Sequence, residues 1–156
     1  MVLGLWAYPD DDLQTLISTI KSLYNEGDDM LRSHQVKVYS DGITINATAA
    51  LHEDYHENIG WPFSRGLNYF TKNNLSTLME SLETEGFDFH IHAIGDRGIS
   101  ESVDAIRSAR EKNNDNSVRH RITHLEIVRD SDIPQFQELN STADMQVAGD
   151  FTQPEH

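Results

Sequence analysis

Two hydrophobic periods alternate along the chain. Runs of period two, or of unbroken apolar residues, occupy Met1 to Tyr8, Gln35 to Tyr39, Phe87 to Ala93, His120 to Ile127 and Ala143 to Val147. These predict five strands. Between them, apolar residues recur at helical spacing. Leu13, Leu16, Ile17, Ile20 and Tyr24 form the first stripe, opened by Pro9 and Asp10 to Asp12 and ended by Asn25-Glu26-Gly27. Leu75, Leu78, Met79 and Leu82 form the second, stopped at Gly86. Ile99, Val103, Ile106 and Arg110 form the third, followed by a polar loop from Glu111 to Ser117. Ile133, Phe136 and Leu139 mark a short fourth helix behind a Ser131-Asp132 cap. Strict β-α alternation predicts an α/β fold with a parallel sheet and right-handed crossovers. No linker or fixed-period repeat divides the chain, so residues 1–156 read as one domain. One irregular stretch, Gly42 to about Asn73, follows a strand's carboxyl end, where such folds line their substrates.

Strand phase then sorts chemistry from core. Val36 and Val38 share a face; Lys37, Tyr39 and Asp41 take the other. Phe87, Phe89, Ile91 and Ala93 oppose Asp88, His90 and His92. In the next strand Ile122, His124 and Glu126 oppose Thr123, Leu125 and Ile127. The expectation is that Lys37, His92 and His124 gather in one space at the carboxyl ends of neighbouring strands. Two neutral imidazoles are good ligands for a divalent first-row metal. A lone strand histidine is more often a hydrogen-bonded structural residue, and a lone strand lysine more often snorkels outward; three on successive strands weigh against that. His90 leaves two readings open: chelation together with His92, or a place one layer deeper. His34, His52, His56, His120 and His156 fall in loops or at strand starts and are expected at the surface.

Composition narrows the partners. With 26 acidic and 12 basic residues the net charge is −14, which argues against nucleic acid or an anionic membrane surface as partner. There is no cysteine, so disulfides and zinc–thiolate sites are excluded. No Gly-x-Ser-x-Gly, phosphate loop or Gly-x-Gly-x-x-Gly occurs. No run of 18 apolar residues is present, and the N-terminus lacks the pattern of a signal peptide. A cytoplasmic location is favoured, with a periplasmic one open if a leader lies upstream.

Three segments resemble the amidohydrolase-3 branch of the metal-dependent amidohydrolases, which includes YtcJ-like proteins and N-substituted formamide deformylases. Val36-Lys37-Val38-Tyr39-Ser40-Asp41-Gly42 with Thr48-Ala49-Ala50 is similar to its fourth-strand region. His92-Ala93-Ile94-Gly95-Asp96-Arg97 resembles its fifth-strand signature. Arg119 to His124 resembles its sixth strand, with Thr123 where an acidic residue is common. The resemblance runs from about Leu3 to Gln146. It implies a TIM (β/α)8 barrel holding one or two divalent metals, usually zinc. Lys37 would be the carboxylated bridging lysine, and His92 and His124 metal ligands. Beside them, Asp41, Asp96 and His90 are expected behind the ligands or on the substrate side.

The family's first-strand His-x-His and eighth-strand Asp have no counterpart here, and Val147 stands where proline is frequent. The chain therefore reads as about strands three to seven of a larger barrel. Its expected function is that of a fragment of a hydrolase cleaving a C–N amide-type bond in a small molecule, inactive alone. The alternative is a non-catalytic partial barrel that binds a ligand or partner. An uncarboxylated Lys37 paired with Asp41 or Asp96 is expected, as is self-association or completion by the rest of the barrel.

Overall fold

The computed structural model describes residues 2–8, 12–24, 26–56 and 64–146. Five strands, β1 (Val2–Trp6), β2 (Arg32–Tyr39), β3 (Asp88–Ala93), β4 (Arg121–His124) and β5 (Thr142–Asp144), form one sheet. Their spatial order equals their chain order, and every neighbouring pair is parallel. Between them lie α1 (Leu13–Ser22), α2 (Lys72–Glu83), α3 (Asp96–Asn113) and α4 (Ile133–Glu138). A doubly wound sheet reverses direction at a switch point. This one never reverses, which is the winding of a (β/α) barrel. The architecture is a parallel five-stranded α/β sheet consistent with part of such a barrel.

The expected strand phase in β2 and β3 holds. Val36, Val38, Phe89, Ile91 and Ile122 are fully buried under α2 and α3, against Leu78, Met79, Leu82, Ile99 and Ile106. Burying a side chain of this size stabilises the fold by about 1.5–3 kcal/mol. Two helix starts, those of α1 and α2, carry side-chain caps. Asp12 accepts the Thr15 N–H at 2.8 Å, and Thr71 accepts that of Asn74 at 3.2 Å, so orphan donors are satisfied. The chain leaves α2 through Gly86, at φ 89°, and α3 through Asn114, at φ 48°.

Several bounds differ from the periodicity. β1 ends at Trp6 rather than Tyr8, and β5 ends at Asp144. α3 begins at Asp96 and runs to Asn113, through the first residues of the expected polar loop. Asp132 does not cap α4 with its side chain; it accepts the Ser100 hydroxyl at 2.6 Å instead. Ile133 is exposed, so only Phe136 and Leu139 face inward on that helix. The expectations for Pro9 to Asp11, Asn25, Val147 and His156 lie outside the described residues.

His120 is the clearest correction. It is fully buried, not a surface residue. Its Nδ1 accepts the Phe89 N–H at 3.1 Å, so Nε2 carries the proton and donates to Glu83 Oε1 at 2.9 Å. Glu83 also binds Arg110 and accepts Asn113 Nδ2 at 2.8 Å. Burial pushes the Glu83 carboxyl up, but these donors and the Arg110 charge outweigh it and hold it below its ordinary value. Arg110 also donates to the carbonyls of Val118 and Leu139, so one buried ion pair ties α2, α3 and the approaches to β4 and β5 together.

Candidate functional site

The face of the sheet away from the helices carries most of the chemistry. Register places Lys37 beside His90 and Arg121, and one layer further along places Tyr39 beside His92 and Thr123. Thr123 in turn pairs with Asp144. A row of rings runs from the end of β1 into this second layer. Trp6 stacks on Tyr8 and on Tyr39, with centroids 6.2 and 5.1 Å apart. Tyr39 lies 4.4 Å from His92, and His92 lies 4.5 Å from His124.

His124 reaches that row by an unexpected route. Register pairs it with Ala93, the core-facing phase, while Thr123 shares the phase of His92. Simple alternation would therefore direct His124 away from His92. The backbone turns left-handed at His124 (φ 83°) and Leu125 (φ 56°), breaking the alternation as β4 ends. The imidazole joins His92, and Leu125 takes the buried core position. The expected meeting of the two histidines is found, but the phase argument for His124 was wrong.

Hydrogen bonds fix how the two rings present themselves. His92 Nε2 lies 2.9 Å from the Gly42 carbonyl, which can only accept. Nε2 therefore bears the proton and Nδ1 keeps a lone pair. His124 Nδ1 lies 2.8 Å from Gln146 Oε1, so Nδ1 donates there, and in the neutral tautomer the lone pair belongs to Nε2. Burial pushes the His92 pKa down to about 4; the Gly42 bond opposes this, and the neighbouring His124 and Lys37 add to it. At neutral pH His92 is uncharged, the state in which imidazole binds a metal.

Lys37 projects on the same face, with Nζ 5.0 Å from the Tyr39 ring centroid. Burial lowers its pKa to about 8, against the attraction of Asp144. Asp144 is thus its acidic neighbour, rather than the expected Asp41 or Asp96. Asp144 also lies 3.6 Å from Arg121. Sequence reasoning gave no site role to Asp144, Arg121 or Thr123. Thr142 and Asp144 share a phase in a three-residue strand, too short a pattern to read with assurance.

Asp41 and Asp96 hold loops. Asp41 is fully buried. Its Oδ1 accepts the Ile94 N–H at 3.0 Å, and its Oδ2 accepts those of Ala50 at 2.9 Å and Gly95 at 2.8 Å. Burial nevertheless raises its pKa to about 6, with the three N–H groups and Arg97 opposing. Asp96, in the first turn of α3, accepts the His52 N–H at 3.0 Å. His90 lies one layer below His92, the deeper of its two readings, and its Nε2 is buried with no hydrogen-bond partner among the described residues. Burial, then Lys37 and Arg121, push its pKa down. His34 and His52 are half-buried rather than at the surface, and His56 is exposed as expected.

The loop after β2 closes over the strand ends. Arg97 N–H donates to the Ala50 carbonyl at 3.0 Å. A Cβ at Gly95 would come within 2.1 Å of that carbonyl oxygen, so a glycine is required there. Thr44 Oγ1 donates to Glu126 Oε2 at 2.6 Å, joining this loop to the one after β4. Beyond that junction lies a recess of about 480 Å³ lined by residues that include His52, Asp96, Ile127 and Arg129.

The donor chemistry suits a divalent metal, but only in part. His92 and His124 supply two adjacent nitrogen donors, and Lys37 is the third candidate. Among the described residues, no group of three or more His, Cys, Asp or Glu could hold a metal.

Comparison with known proteins gives the same answer at the level of family. The model of a family described as the amidohydrolase family matches residues 7–156. Protein LONG AFTER FAR-RED 3 of Arabidopsis thaliana is 29% identical over 111 residues, 71% of this chain and 18% of that protein. Putative amidohydrolase YtcJ of Bacillus subtilis is 28% identical over 120 residues, 74% of this chain and 21% of its own length. The crystal structure of an uncharacterized metal-dependent hydrolase from Pyrococcus furiosus superposes with a TM-score of 0.64 at 28% identity, covering 88% of this chain and 27% of that one. Its Pyrococcus horikoshii counterpart gives 0.62 at 27% identity, over 88% and 26%. The chain spans about a fifth of the length of the curated relatives it matches.

Proposed function

Because the chain belongs to the amidohydrolase family, we propose that it forms the ligand-bearing part of a metal-dependent hydrolase that cleaves a C–N amide-type bond in a small molecule. The observation that carries this reading is the His92–His124 pair, ring centroids 4.5 Å apart, each ring donating to an outer acceptor through one nitrogen and leaving the other towards the site. His92 Nδ1 and His124 Nε2 would hold the metal, zinc being the proposed ion, with Lys37 as a third ligand. A divalent ion bound there would acidify water and polarise a carbonyl.

The remaining work belongs to this chain's own groups. Gly42 and Gln146 orient the two imidazoles. A Lys37 amine with its pKa near 8 has an appreciable neutral fraction at neutral pH, the form that can take up CO₂ as a carbamate. The family's further ligands and its proton-accepting aspartate have no match here. Residues 1–156, matching about a fifth of the curated relatives, are expected by themselves to turn over no amide, with Lys37 a plain amine. Metal content after dialysis against zinc, with an amide-hydrolysis assay on the same sample, tests the reading. Bound zinc without turnover is expected. Absence of bound zinc would contradict the metal site, and turnover would contradict the inactivity.

A further inference from the structure

Resting on the reading of His92 as a metal ligand, we infer that Asp41 is the positioning residue that presents His92 as an Nδ1 donor. The residue sits where three pieces of chain must agree: the end of β2, the loop to Ala50, and the turn from β3 into α3. Its carboxylate takes an N–H from the loop at Ala50 and two from the turn, at Ile94 and Gly95. The Ala50 bond closes residues 41–50 into a ring. Within that ring Gly42 donates to the Thr48 carbonyl at 3.1 Å, so its own carbonyl is held in place. That carbonyl receives His92 Nε2–H. The turn bonds fix the backbone immediately after His92 and Ala93. One side chain thus sets both His92's strand end and the acceptor that orients its ring.

Electrostatics point the same way. Asp41 Oδ1 lies 3.8 Å from His92 Nε2, too far for a hydrogen bond but close enough to favour a proton on that nitrogen. Gly98 shows how tightly the carboxylate is seated. A Cβ there would lie 2.7 Å from Asp41 Oδ2 and 2.8 Å from its Cγ, so the whole carboxylate would have to shift. Gly98→Ala therefore displaces Asp41 without removing it, while placing a better helix former in α3.

The test uses the full chain with ¹⁵N-labelled histidine and two independent readouts. Ring ¹⁵N spectra without metal report the His92 tautomer, and calorimetric zinc titration reports affinity. The wild type is expected to show protonated Nε2 and bare Nδ1. Asp41→Asn and Gly98→Ala are each expected to mix the tautomers and to weaken zinc binding by about 10–100-fold, the usual effect of a lost outer partner. Urea titration of each variant separates this from loss of fold; if Asp41→Asn does not fold, Gly98→Ala decides. An Nδ1–H tautomer in the wild type, or wild-type tautomer and affinity in a folded variant, overturns the inference. A wild-type tautomer as expected, shifted in the variants but with no zinc bound by any protein, upholds the positioning and removes the metal reading alone.

Discussion

Glu83 and His92 show what single residues contribute, and only one of them was legible in advance. His92 announces itself by a strand, a Gly-Asp turn and a helix. Glu83 and its partner His120 do not, because their burial depends on Arg110 and Asn113, distant in sequence. Removing one partner of such a buried ion pair leaves the other uncompensated. Glu83→Gln is expected to destabilise the fold by about 3 kcal/mol in urea titration, and a change within experimental error would show that the network carries no weight. His92 predicts a pH dependence. Its folded pKa is about 4 against an ordinary 6.5, so the unfolded state binds the proton first between those values. Its stabilising share is complete above about pH 6.5 and is lost as pH falls towards 4, by on the order of 3 kcal/mol. Asp41, raised from 3.8 to about 6, acts in the opposite sense: its share is present at low pH and lost as pH rises through 6. The stability difference between wild type and His92→Asn isolates the histidine. It should shrink from pH 7 to pH 4.5, and a constant difference would contradict the burial assigned to His92.

At the scale of elements, the strands and helices were legible from hydrophobic period because each packs one face on a common core. Phe89 and Ile91 beneath α3 are the plainest case. The end of β4 was not legible, since it depends on two non-glycine residues in left-handed backbone, a conformation that periodicity does not encode. Convergence of His124 on His92 is therefore the product of a local turn. Holding a side chain in that region costs about 1–3 kcal/mol, and a β-branched residue suffers most. His124→Gly is expected to be more stable than His124→Val by an amount in that range. Equal melting temperatures would mean that β4 ends in ordinary extended backbone.

At the scale of the whole molecule, five parallel strands leave β1 and β5 as the sheet's edges among the described residues. Trp6 is 50% exposed and Tyr39 36%, on a face that a closed barrel would enclose. Unpaired strand edges invite pairing with another chain. Sedimentation velocity on the isolated chain is expected to show self-association rather than a 17.7 kDa monomer; a monomer at all concentrations would contradict this. The family was legible in three strand-end motifs, whereas the layer of Lys37, His90 and Arg121 needed the register of the sheet to appear. His92 and His124 are proposed to hold the metal together. Zinc titration by calorimetry, on the wild type, His92→Ala and His124→Ala, tests this most directly. Saturable binding to the wild type and loss of that binding in both variants are expected. Binding unchanged in either variant, or none in the wild type, would contradict this.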